Sequence, residues 1–535
     1  MSTDLKFGKV RSFLWPVHRS EFKKFFPMFA MFFLMAFNYN ILRAAKDTLV
    51  VTDPSAGAEA IPFIKVWAIL PMAIFMTFVF TKLSSKYSKE KVFNIMILIF
   101  LSYFTVFTFL LYPNRDILHP IIFASKAKAF LPQGFSGLVS VFGNWTLTTF
   151  YVMAELWGTA ILTVLFFGMA NDITTISEAK RFYSLFGVGA NVAGIISGQA
   201  AVYLSSNKFF NFISYGKTSW EQSVLFMNLT IIISGFGILF LLRYLSKNNN
   251  NLETFEESVA LKKPKKEHIS LKKSFMYLAK SKYLICIAII VLAYNLTTHI
   301  IEVVWKNQIK ELYPNPSEFS AYLGNVMTWI GVLATLIALF IAGNFIRRFK
   351  WSLSAIITPI VVLGSGILFF SFYLFKDTKL AGLATFLGST PLMLSVFFGS
   401  MQNTLSRACK YTVFDATKEI AFIPLNQESK LKGKAAIDGV GSRFGKSFGS
   451  LLTSFLLIVC STLSASAPYI AIIFLVSMVI WLIAVMSLGK QFSKLSLNDN
   501  KQIIEDKIQS QNTDTKELNN FYPFAKINRK DKIKK

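Results

Sequence analysis

The chain has 535 residues, 53% of them hydrophobic and only 16% charged, with a mean hydropathy of +0.48. A soluble protein would carry about a quarter charged residues, so a soluble globular fold is excluded. The net charge of +27 invites a nucleic-acid reading, but Lys and Arg gather between apolar runs on alternate loops. That pattern is the positive-inside signal of membrane topology, and no nucleic-acid partner is expected.

Apolar runs of about 20 residues, each long enough to cross a bilayer as a helix, recur along nearly the whole length. In chain order the spans are predicted at approximately 25–45, 62–82, 92–112, 145–170, 183–205 and 223–244, then 283–304, 319–346, 353–375, 380–408, 438–461 and 467–488. A basic cytoplasmic arm, residues 1–24, runs directly into the first span, so no cleavable signal peptide is expected. Residues 113–144 read as a long external loop with an amphipathic stretch around Phe135 to Phe142. Residues 246–282 are polar and Lys-rich and read as a cytoplasmic linker; residues 491–535 read as a polar, basic, mobile cytoplasmic tail. The predicted fold class is an all-α polytopic membrane protein of about twelve transmembrane helices in two six-helix halves, 25–245 and 283–490, major-facilitator-like. The charge distribution predicts that both termini are cytoplasmic, and with no Ser/Arg-rich transit extension ahead of the first span a multi-pass protein of the bacterial inner membrane is expected.

The two halves carry traces of a repeat. Tyr39-Asn40 in the first span matches Tyr294-Asn295 in the seventh, 255 positions on, and at that offset Asp47 falls on Glu302. Lys180 similarly matches Lys434. A parallel six-span repeat places a substrate site near the bilayer midplane between the halves.

Ionisable residues within the spans are Arg43, Lys46, Lys65, Glu155, Glu302, Lys306, Arg443 and Lys446. Each costs at least about 2.5 kcal/mol at a helix centre, so such residues face a watery cavity or one another. Lys65 and Lys306 lie near predicted span ends, where a long side chain either snorkels to the interface or, like the other charges, faces the cavity. The others read either as cations holding an anionic solute with carboxylates balancing them, or as ion pairs locking the halves. Cys286, Cys409, Cys460 and the four histidines show no ligand or disulfide spacing, so neither a metal nor a disulfide is expected. The run Gly439 to Ser447 mimics a phosphate-binding loop, but neither Gly439 nor Gly441 stands at the required distance from Gly445. Gly194 and Gly198 read instead as a small-residue helix contact.

The stretch Asn38 to Thr52 resembles the signature of the bacterial and plastid ATP/ADP translocases. So do Met153-Ala154-Glu155-Leu156-Trp157-Gly158, Glu178 to Ser184, Glu302-Val303-Val304-Trp305-Lys306 and Gly445-Lys446-Ser447. The resemblance covers nearly all the membrane region and implies a nucleotide transporter in which Lys46, Glu155, Glu302 and Lys446 are the important charges. It implies exchange of ATP for ADP by alternating access, with the alternative of a proton-coupled carrier of several nucleoside triphosphates. Departures are Ala44-Ala45 between Arg43 and Lys46, Phe448 after Gly-Lys-Ser, and His299 in place of a common Asn. His299 shares a helix face with Glu302 and reads as a proton-coupling partner or as a packing histidine. Phosphate contact is thus expected from Lys46, Arg43, Lys446 and Arg443, and ion-pairing or coupling from Glu155, Glu302 and His299. No cofactor and no catalytic cluster are expected; a membrane enzyme is the remote alternative.

Overall fold

The structure, a computed structural model, describes residues 15–205, 207–248, 281–342, 349–375, 378–425, 433–434, 437 and 442–521. Among these, ten helices are long and apolar enough to cross a membrane: α1 Arg19–Val51, α2 Ala60–Lys86, α3 Lys89–Leu111, α4 Trp145–Ile173, α5 Arg181–Leu204, α6 Ser219–Lys247, α7 Lys282–Leu312, α8 Pro316–Phe340, α9 Trp351–Leu374 and α12 Leu463–Leu495. The remaining two predicted spans fall on α10, Pro391–Ala421, and on the shorter apolar helix α11, Gly445–Cys460. The tenth span was placed too early, because Leu380–Phe386 forms a separate helix bent by 87° from α10. Thr390 Oγ1 accepts from Met393 N at 3.1 Å and Pro391 opens the new helix, so the chain restarts there.

Two other expectations change. The external loop contains helices Ile121–Phe130 and Ser136–Gly143. The last helix runs without interruption to Phe521, since residues 491–521 hold neither Pro nor Gly to stop it. Most of the Lys-rich linker, and the arm before residue 15, lie outside the described residues.

Helices α1 and α7 are the inner posts of the bundle. Trp157 Nε1 on α4 donates to the Met35 carbonyl at 3.0 Å, and Asn38 Nδ2 donates to Ile231 O on α6 at 3.2 Å. Around α7 stand α10, α11 and α12: Trp305 Nε1 donates to Ser400 Oγ at 3.1 Å, and Tyr294 meets Trp481 edge-on at 5.9 Å. Helices α5 and α8 press together through the small-residue seam read from the sequence, where a Cβ on Gly198 would stand 2.5 Å from Gly324 O. Ser205 and Ser320 extend that seam with a 2.8 Å hydrogen bond.

These contacts close one end of the bundle, the end of the α1–α2 turn at residues 52–59. There Glu59 accepts from Leu463 N at 3.1 Å, residues 60–63 pack on α11, and Gly134 abuts Leu457 and Ile458. Toward the other end, Gly187 on α5 is exposed with nothing across from it within 4 Å. At that end a capping box of Thr175 and Glu178 starts the helix leading into α5, and Lys24 of α1 binds Glu178 at 2.7 Å. Burial pushes the Glu178 carboxyl up, but hydrogen bonds from Lys24 and from Thr175 outweigh it and hold the group below its ordinary value.

Candidate substrate site

Beneath the closed end, four helices converge on a chain of alternating charges. Lys46 on α1 bridges Asp47 at 3.0 Å and Glu155 on α4 at 3.2 Å, with Tyr151 turning its ring face to the ammonium at 3.8 Å. Asp47 passes to Lys306 on α7 at 2.8 Å, and Lys306 to Glu302 at 2.9 Å. Glu302 also takes Arg407 of α10 at 3.1 Å and Arg43 of α1 at 3.5 Å, all three on one oxygen. Lys46, Asp47 and Lys306 are at most 3% exposed. Charges so deeply buried persist only because each has an opposite charge on more than one side.

A second strand of polar contacts runs beside the first. Lys65, on the π-turn Ile64–Ile69, reaches His299 Nδ1 at 2.8 Å. An ammonium only donates, which assigns the His299 proton to Nε2 and its donation to Ser450 Oγ at 2.8 Å. Ser450 in turn donates to Lys446 O at 2.9 Å. The Lys446 side chain is exposed, has no ion-pair partner among the described residues, and lies in electrostatic range of Glu155 and His299. Six cations (Arg43, Lys46, Lys65, Lys306, Arg407, Lys446) thus gather around three carboxylates (Asp47, Glu155, Glu302), an excess of three positive charges. In a low-dielectric surround such an excess attracts a polyanion.

The profile of the TLC ATP/ADP transporter family matches residues 1–492. The chain belongs to that family. It is 45% identical over 503 residues to ADP,ATP carrier protein 1 of Chlamydia pneumoniae, covering 94% of this chain and 97% of that one. It is 41% identical over 473 residues to the plastidic ATP/ADP-transporter of Solanum tuberosum, covering 88% of this chain and 74% of the relative. Among solved structures, a bacterial homologue of the iron transporter ferroportin in its inward-facing state superposes with a TM-score of 0.57 at 12% identity, over 88% of this chain and 100% of that one. That likeness concerns the fold alone, which is major-facilitator-like and all-helical among the described residues. The protein is therefore a membrane transporter of this family and not an enzyme.

In this TLC-family member the structure brings together Arg43, Lys46, Glu155, Glu302, His299 and Lys446; the Arg443 side chain lies outside the described residues. His299 and Glu302 do share a face, yet His299 bonds to Lys65 and Ser450, while cations surround Glu302. Lys65 and Lys306 do not snorkel. The seventh helix runs on to Leu312, which makes Lys306 an interior residue, and Lys65 turns inward to His299. Sequence reasoning missed Asp47 and Arg407. Asp47 stood in the same apolar stretch as Lys46, and the rule that charges in spans are functional would have flagged it. Arg407 lies at the predicted edge of the tenth span (380–408), where the signal of a charge within a span is weakest.

Proposed function

We propose that this carrier exchanges ATP for ADP across the bacterial inner membrane by alternating access between two six-helix halves, residues 25–245 and 283–490, with both termini in the cytoplasm. One observation carries the reading: the alternating charge chain crosses from one half to the other at Asp47–Lys306 and Arg43–Glu302 while three positive charges stay uncompensated. The names printed for the Chlamydia and potato relatives support the choice of ATP and ADP. With this orientation the closed end faces outward and the site communicates with the cytoplasm.

In the empty carrier, carboxylates occupy the cations and tie the halves together. Entering phosphates compete with Glu155 for Lys46 and with Glu302 for Arg43, and take Lys446 without competition. Arg443 is assigned to the same phosphates from its place in the sequence. Release of Glu302 from Arg43 opens one of the two bridges between the halves, so the loaded carrier crosses its barrier faster than the empty one. That difference is what makes exchange obligatory.

Proteoliposomes test the reading. Vesicles loaded with ADP are expected to accumulate labelled ATP, and empty vesicles are not. Lys46→Ala and Lys446→Ala each remove a charged phosphate contact of about 1.5–3 kcal/mol, a loss of roughly ten- to hundredfold in affinity. Normal ATP exchange by both variants would overturn the phosphate cradle. Uptake by empty vesicles under a pH gradient, shared by GTP, CTP and UTP, would instead support the proton-coupled reading.

A further inference from the structure

Residues four apart on a helix share a face. Tyr39 stands one turn before Arg43 on α1, and Tyr411 one turn after Arg407 on α10. Arg43 and Arg407 reach the same oxygen, Glu302 Oε1, at 3.5 and 3.1 Å, so these two faces look toward one another across the centre. α1 runs toward the closed end and α10 away from it. The turn before Arg43 and the turn after Arg407 therefore lie at one depth, about 5.4 Å farther from the closed end than the carboxylate. Tyr411 is 51% exposed and lies in electrostatic range of both Tyr39 and Arg43.

The two rings are held in different ways. Tyr39 lies on the bare backbone of Gly158 in α4, where a Cβ would come within 2.6 Å of the ring. Tyr411 sits on the π-turn Lys410–Phe414, a local widening of the kind that recurs at functional sites. Neither phenol oxygen has a hydrogen-bond partner among the described residues. Tyr294, which matches Tyr39 in the repeat, is 4% exposed and packed between Phe414 and Trp481. Of the two repeat-related tyrosines, Tyr39 is thus the partly exposed one and Tyr294 the buried one.

We propose that Tyr39 and Tyr411, one from each half, form the nucleobase subsite of the carrier, stacking on a purine at the open side of the phosphate cradle. The inference rests on the nucleotide reading above and adds the part of the ligand that the charges do not address. Along α1, Tyr39, Arg43 and Lys46 succeed one another at one-turn steps, spanning about 10 Å of axis. Base, then phosphates, would follow that order from the open end inward. An aromatic face accepts any base but gains more from the larger surface of a purine.

The test separates base from phosphate by using two probes on the purified full-length carrier, ATP and inorganic tripolyphosphate, each displacing labelled ADP. Tyr39→Ala and Tyr411→Ala are expected to weaken ATP by roughly five- to hundredfold, the usual cost of losing a base–aromatic stack, and to leave tripolyphosphate unchanged. Tyr39→Phe and Tyr411→Phe keep the stack and are expected to bind ATP as wild type does. Lys446→Ala serves as the contrast, weakening both probes alike. Alanine variants that bind ATP normally, or that lose ATP and tripolyphosphate equally, would overturn the subsite. Failure of the wild-type carrier to bind either probe would instead strike at the nucleotide reading itself.

Discussion

The Asp47–Lys306 bridge is the most heavily buried link between the two inner posts, and a double-mutant cycle measures it. Its partners stand 2.8 Å apart with both side chains 2% exposed. At an effective dielectric constant of about 20, a contact this short has a gross attraction of about 6 kcal/mol, set against several kcal/mol for taking each ion out of water. The net value of the pair is therefore small, whereas removing one partner leaves a charge buried without its nearest counterion. Asp47→Asn and Lys306→Met should each destabilise the folded carrier by about 3 kcal/mol, the low end for a broken buried pair. The low end applies because Lys46 still faces Asp47, and Glu302 still faces Lys306. The double variant should lose about 3–4 kcal/mol instead of the sum of about 6, giving a coupling energy of about 2–3 kcal/mol, the upper range for residues in contact. Thermal unfolding of the four proteins in one detergent reads the cycle. A double variant as unstable as the sum of the singles, within about 0.5 kcal/mol, would mean that the two side chains do not interact, and the bridge between the halves would be lost.

The carboxylate of Glu59 caps the first turn of α12 across the closed end, so Glu59→Ala should weaken closure by about 1 kcal/mol, roughly fivefold in the balance of states. Cys460, half-buried on α11 near that end, reports it: its labelling by an impermeant thiol reagent should quicken, and an unchanged rate would show that the cap does not hold the closed state. For Glu178, a carboxyl depressed in the folded state contributes stability above its unfolded value of about 4.3 and loses it as pH falls through the folded value. Wild type should therefore melt higher than Glu178→Gln at pH 7, and the gap should close in acid; a gap independent of pH would point to packing alone. Because His299 is hydrogen-bonded between Lys65 and Ser450 and not to Glu302, His299→Asn is expected to leave the pH dependence of uptake unaltered. A shifted pH profile in that variant would restore a proton role for the histidine.

The bundle was largely legible from the sequence because lipid enforces a simple rule: each crossing needs about 20 apolar residues whose backbone satisfies itself. Among the described residues each of the twelve predicted spans falls on helix, and the misplacement at the tenth came from an apolar stretch that Thr390 and Pro391 divide. A charge in hydrocarbon is too costly to be incidental, and on that ground Arg43, Lys46, Lys65, Glu155, Glu302, Lys306, Arg443 and Lys446 stood out before any partner was known; the narrower choice of Lys46, Glu155, Glu302 and Lys446 came from the family resemblance.

What the sequence could not supply was pairing. Nothing in spacing tells that Lys46 divides itself between Asp47 and Glu155, that Lys306 reaches across to Asp47, or that three cations share one oxygen of Glu302. Lys306 and Lys65 looked like interfacial side chains until helix ends and a π-turn placed them inside. By itself the sequence determined the helices and the cost of their charges, both local properties of one segment in lipid. Only the packing of α1, α4, α7 and α10 decided who neutralises whom, because attraction between charges depends on separations across the bundle that chain order does not encode.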